Sequence, residues 1–310
     1  MPEYGKCNLP SSYYKMKFID MQILRYLLVF SILLSVSSCT RYCNFDCPNT
    51  HLTFSYPSKN QDLVKNHIHS AKLLIYDDSH HLVLTKELLP KQMKKGVLLH
   101  LPPGDYLAVA LANTGENIRL HKTEHALDAR LLSSAYHLGE PIESTDPIYL
   151  GTQRLSVSMI DRYGKPARET IAYKSGHLKM DVKIYGLKDE AVQLKVNNLI
   201  PEFDFFMKSR SKPTTFTPKI EKVEEQDIYR SYFHVLRHKG VDPMTIDIFL
   251  DNEYSYTVDV RQLVAAKYPD FTIDSRSDFT IEVEVYFDGV QMHLKLPNWE
   301  EDNVTNTPIS

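Results

Sequence analysis

Beyond residue 50 the chain is patterned with the two-residue period of strands rather than the 3.6-residue period of helices. His51-Leu52-Thr53-Phe54-Ser55-Tyr56 alternates and stops at Pro57. Ala71–Tyr76 is a mostly apolar run closed by Asp77-Asp78-Ser79, and His81–Leu84 follows as a second strand. Lys95–Leu101 leads into Pro102-Pro103-Gly104-Asp105, where Pro103 presets φ and Gly104 admits positive φ, the demands of a type II turn. Tyr106–Leu111 reads as a buried strand, and Ile148–Leu150 and Leu155–Ile160 complete this half. Asn117–Leu138 is the least strand-like stretch. Leu127, Leu131 and Leu132 there suit a short helix or a covering loop.

The second half alternates more cleanly. Leu178, Met180, Val182 and Ile184 interleave with Lys179, Asp181, Lys183 and Tyr185, predicting a strand with one wet face. Val192, Leu194 and Val196 repeat the pattern. Met244–Leu250 and Tyr254–Val258 flank Asp251-Asn252-Glu253 as a hairpin, and Val260, Leu263, Val264 and Lys267 predict one short helix. Ile281, Val283 and Val285 run into Asp288-Gly289, a hairpin turn, and Val290–Leu296 returns. Many short strands separated by turn signals predict an all-β fold of two tandem Greek-key β-sandwiches. The turn cluster Asp161–Pro166 divides them, giving 51–165 and 166–310.

The N-terminus has a different pattern. Tyr26–Leu34 is nearly all apolar yet shorter than the ~20 residues a membrane span needs. Lys15, Lys17 and Arg25 precede it, and Leu33-Leu34-Ser35-Val36-Ser37-Ser38-Cys39 ends it. This reads as a bacterial lipobox, with residues 1–38 as a signal peptide whose start lies at Met1, Met16 or Met21. Cleavage would leave lipid on Cys39 and residues 39–50 as a tether to a membrane. Each buried CH₂ contributes ~0.8 kcal/mol, so a cysteine with several acyl chains is held permanently.

Charge and chemistry narrow the function. The sequence has 36 Lys+Arg against 39 Asp+Glu, and residues 1–38 remove more bases than acids. Nothing resembles a phosphate-tracking stripe, which argues against a nucleic-acid partner. Of the four cysteines, Cys43 and Cys47 remain beside the lipidated one. A disulfide between them is one outcome in an oxidising envelope, and two free thiols the other. His121-Lys122-Thr123-Glu124-His125 matches H-x-x-E-H, in which two histidines one helical turn apart bind zinc and the glutamate activates water. That chemistry requires a helix and a third ligand, and no distant carboxylate stands out. His67 and His69 would share one face of a strand, and His80-His81 adjoins a turn. Trp299, the only tryptophan, suits a core plug. No G-x-S-x-G elbow, P-loop or dinucleotide fingerprint occurs, so no enzyme, cofactor or small-molecule substrate is expected.

Several of these residues together resemble a known family. Cys39, Asp46-Cys47-Pro48, Leu52-x-Phe54-x-Tyr56, Leu73-Leu74-Ile75-Tyr76-Asp77, Leu99-x-Leu101-Pro102-Pro103-Gly104-x-Tyr106 and a closing strand near Trp299 are similar to the fimbrillin-A-associated anchor proteins, the minor lipoprotein subunits of type V pili. The strand Tyr106–Leu111 departs from that family in carrying no tryptophan. The resemblance implies two transthyretin-like sandwiches, outer-membrane attachment and a pilin partner joined by strand addition. Candidate strands for that contact are His51–Tyr56 and Val290–Leu296. A surface lipoprotein that binds glycan or host protein is the alternative, and a zinc hydrolase using His121, Glu124 and His125 the remote one.

Overall fold

A computed structural model describes residues 48–58, 61–62, 64–137, 144–158, 166–188, 190–237, 244–267, 280–288 and 291–295. The signal segment, Cys39, Cys43, Cys47, Gly289 and Trp299 lie outside the described residues, as does most of the turn cluster at 161–166.

The chain forms two β-sandwiches. In the first, strand Thr50–Ser55 lies between Ala167–Ala172, parallel to it, and Val97–Leu99, antiparallel. Its alternation gives Leu52, Phe54 and Tyr56 to the core. The other layer is a five-stranded sheet in the order Lys174–Ser175, Tyr149–Val157, Gly104–Ala112, Ala71–Asp77, Leu82–Leu88. Leu73, Ile75, Ala108, Ala110, Leu155 and Ile171 join the same core. The two layers approach closely at Gly151, where an added Cβ would sit 2.6 Å from Ile171 Cγ2.

The second sandwich pairs a five-stranded sheet with a four-stranded one. The first has the order Glu221–Val223, Ile228–Leu236, His177–Tyr185, Thr280–Asp288, Gln291–Lys295. The second runs Thr214–Phe216, Val192–Leu199, Thr245–Leu250, Glu253–Asp259. Met180, Val182, Leu194, Val196, Phe233, Ile246, Ile248 and Val283 fill the space between. The predicted hairpin turns at Asp251 (φ 50°) and Asn252 (φ 67°), the positive angles a two-residue type I′ loop requires. The predicted short helix spans Val260–Lys267.

Three local expectations change. The strands expected from Ile148 and from Leu155 join as one, Tyr149–Val157, whose polar middle is half-exposed, and residues 159–160 lie outside the described residues. Lys95 ends a helix, Pro90–Lys95, instead of opening a strand. The division after residue 165 separates hydrogen-bonded partners: Ala167–Ala172 pairs with Thr50–Ser55, and Lys174–Ser175 with Tyr149–Leu150. The strands that follow the turn cluster pair with the first sandwich.

The described residues of the stretch Asn117–Leu138, 117–137, hold no α-helix. They form strands Ile118–His121 and Arg130–Ser133 and a 3-10 turn, Ser134–His137. Arg130–Ser133 also pairs with Glu202–Phe203 from the second half. Tyr136 meets Phe216 edge-on at 5.5 Å, and Tyr76 meets Phe205 at 5.9 Å. The segment therefore does cover the first sandwich, and it joins that cover to the core of the second. One buried cluster runs from Leu74, Tyr76 and Val109 through Ile118, Leu131 and Tyr136 to Phe216 and Phe233.

Candidate functional site

An open sheet edge leaves backbone N–H and C=O groups without partners, and a strand from another chain can satisfy them. The edges are therefore the first places to look for a contact. Strand Thr50–Ser55 is not one of them, because it has neighbours on both sides, so half of the expected pair of docking strands is removed. Among the described residues, Gln291–Lys295 is the outermost strand of its sheet. Two seven-residue edge strands also stand out. The first residues of Leu82–Leu88 are covered, since Leu82 N donates to Glu124 O at 3.0 Å. Glu253–Asp259 carries exposed Tyr254 and Tyr256, with Phe249 edge-on to Tyr254 at 6.0 Å.

The outer face of the second sandwich's five-stranded sheet is polar. Register places Lys183 beside Arg230 and Glu284, and Asp181 beside Tyr232 and Glu282. Arg230 donates to Asp181 through Nε at 2.8 Å and a terminal nitrogen at 2.9 Å, a bidentate fork. These bonds raise the Arg230 pKa and hold its charge. Tyr185 and Tyr286 stack with ring centroids 4.4 Å apart and planes nearly parallel. Desolvation and the bond to Glu284 push the Tyr286 phenol up to about 12. Lys219, Glu221, Val223, Arg230 and Tyr232 line a shallow cleft of about 530 Å³ at this face. Strand Ile228–Leu236 was not read from sequence. Its inward Ser231, bonded to Lys219 O at 2.6 Å, breaks the apolar alternation, although Phe233 and Val235 carried a usable signal.

The histidine candidates are rearranged. His121 ends a strand, and Lys122 follows at φ 53°, so H-x-x-E-H does not lie on a helix and its two histidines are not stacked one turn apart. The zinc-hydrolase geometry is thereby lost. His67 closes the helix Val64–His67, where no strand aligns it with His69, and its ring packs against Tyr56 and Tyr149. His125 instead meets His80 and His81, with ring centroids 5.8 and 5.3 Å away. The other proposed site residues, Cys39, Cys43 and Cys47, lie outside the described residues. No described helix is long and apolar enough to cross a membrane.

Tandem β-sandwiches define a fold class, and solved structures share it. A candidate adhesin from Bacteroides thetaiotaomicron matches with a TM-score of 0.64 at 15% identity, covering 82% of this chain and 97% of that one. The fimbrial anchor protein Mfa2 from Porphyromonas gingivalis matches at 0.63 and 11% identity, covering 82% and 98%. A candidate polysaccharide-binding protein from Bacteroides thetaiotaomicron matches at 0.67 and 10% identity, covering 83% and 100%. At such identities the likeness shows the fold. The family follows from the sequence: the fimbrillin-A associated anchor proteins Mfa1 and Mfa2 match residues 44–305, and this chain belongs to that family. A search of curated proteins returns no match.

Proposed function

We propose that this chain is an outer-membrane lipoprotein that anchors a fimbrium, held by lipid on Cys39 and joined to a fimbrial subunit by strand addition. The observation that carries the reading is the family match, which begins just beyond Cys39 and extends through both sandwiches. The lipobox pattern upstream supplies the attachment, and residues 40–47 the spacer.

An anchor must bear load where its tether enters the fold, and Asn49 is built for that. Its backbone N donates to Leu99 O at 2.9 Å, and its backbone O accepts from Ala167 N at 2.9 Å. Its side chain accepts from Leu101 N at 3.0 Å and donates to Leu101 O at 2.6 Å. Tension arriving along the spacer would meet these four bonds before it reached strand Thr50–Ser55. For the subunit contact, the reading rests on the outermost strand Gln291–Lys295, since Thr50–Ser55 is internal.

The test is Cys39→Ala with cell fractionation and fimbrial imaging. Fimbriae shed into the medium are expected, and normally attached fimbriae would refute the anchor. Deleting residues 290–310 tests the contact separately: pilin retention should fall, and unchanged retention would exclude that edge. The glycan-binding alternative draws on exposed Tyr232, Tyr254 and Tyr256, which offer stacking surfaces. It predicts retention of polysaccharide by the purified chain and no co-purifying pilin.

A further inference from the structure

Two motifs that are far apart in sequence meet at the covered start of strand Leu82–Leu88. Leu82 N donates to Glu124 O at 3.0 Å, and Ala126 N donates to His80 O at 2.8 Å. These bonds flank an antiparallel bridge between His81 and His125. The two histidines are thus a non-hydrogen-bonded pair, the arrangement that brings facing side chains closest, with Cα atoms ~4.5 Å apart. His80 is held at φ 66° by the same turn, and its ring also touches that of His125. The Nδ1 atoms of His80 and His125 are buried and have no hydrogen-bond partner among the described residues. Two carboxylates stand nearby. Asp128 Oδ2 lies 3.8 Å from His125 Nδ1, and Asp77 Oδ1 lies 4.0 Å from His81 Nδ1.

We infer that His81 and His125, with His80 beside them, form a binding site for a late first-row divalent metal ion such as Zn²⁺ or Ni²⁺. Imidazole nitrogens ~2.0–2.1 Å from a tetrahedral ion place two ring centroids roughly 5 Å apart, close to the separations found here. A buried nitrogen lone pair without a donor loses hydrogen bonding that a metal ion restores. No three potential ligands among the described residues already converge on one point. The cross-strand pair is therefore the primary chelate. His80, Asp77, Asp128 or water completes the shell after side-chain rotation. The ion would staple the turn at 77–82 to the loop at 122–126, closing the start of an otherwise open sheet edge.

The experiment is calorimetric titration of the purified full chain with ZnCl₂ and, separately, NiCl₂. One saturable site is expected. His81→Gln and His125→Ala should each weaken it by about tenfold or more, the scale on which even outer-shell changes act. His121→Ala should leave it within about twofold, which separates this site from the H-x-x-E-H reading. His81 is 67% exposed, so its replacement leaves the packing intact. As a second readout, metal should raise the melting temperature of the parent chain and not that of His81→Gln. No saturable binding up to ~1 mM metal, far weaker than the affinities of built zinc sites, would overturn the proposal, as would equal loss in His121→Ala.

Discussion

The two five-stranded sheets are alike in strand number and opposite in surroundings. In the first sandwich both faces are buried: Leu73, Ile75, Ala108 and Ala110 turn to one core, and Leu74, Tyr76, Val109 and Leu111 to the other. In the second, Met180, Val182, Val283 and Val285 turn inward, while Lys183, Arg230, Glu282 and Glu284 occupy the outer face. One sheet is a wall inside the molecule, and the other presents a charged surface. Equivalent substitutions on the two outer faces should therefore have unequal costs.

The sharpest way to break the comparison is Leu74→Ala against Lys183→Ala. Leu74 is 1% exposed, and its truncation should cost about 2–5 kcal/mol in chemical unfolding. Lys183→Ala should cost no more than about 1 kcal/mol, since its 3.5 Å ion pair with Asp181 is lost while the shorter Arg230 fork on the same carboxylate stays in place. Equal losses would show that the first sheet's outer face is not sealed. Gly151→Ala tests the inner face of the same sheet. Its Cβ would meet Ile171 and the carbonyl of Ala172 at 2.6 and 2.9 Å, and overpacking of this kind costs about 1–3 kcal/mol. A neutral result would mean that the layers can separate.

Asn49→Ala probes the root of the first sandwich. It leaves the Leu101 N–H and C=O without their side-chain partner, and about 1–3 kcal/mol of stability should be lost in thermal melts. The smallest effect concerns alkaline pH. Folding raises the Tyr286 pKa to about 12 from an ordinary value of 10.0, and burial raises Tyr136 and Tyr173 as well. The unfolded chain releases these protons first, so the stability they support is complete below pH 10 and declines as the pH rises towards 12. Absorbance at ~295 nm should show a tyrosine fraction that ionises late, and Tyr286→Phe should reduce it.

Alternation was readable where one face is wet. Leu178–Ile184 and the hairpin at Asp251-Asn252 announced themselves because polar and apolar residues separate by face. Ala71–Tyr76 read as an apolar run and Tyr106–Leu111 as a buried strand, since both faces of their sheet are largely covered. The Asn117–Leu138 stretch misled most. Its strands are four residues long and pair with each other, and Arg130–Ser133 also pairs with Glu202–Phe203, a partner too remote for any local pattern to indicate. Among the candidate site residues, H-x-x-E-H was found by spacing, yet its backbone adopts strand and turn. His125 finds its neighbours in the other histidine motif.

By itself the sequence determined the β class, most of the described strand positions and the hairpin turn at Asp251-Asn252, because each is written in local spacing. Only the tertiary structure decided which strands are edges, that Ala167–Ala172 returns to the first sandwich, and that one segment welds the two cores together. Those outcomes depend on pairings between residues from about seventy to more than a hundred positions apart, and the free energy that selects them lies in buried contacts that no single stretch of chain contains.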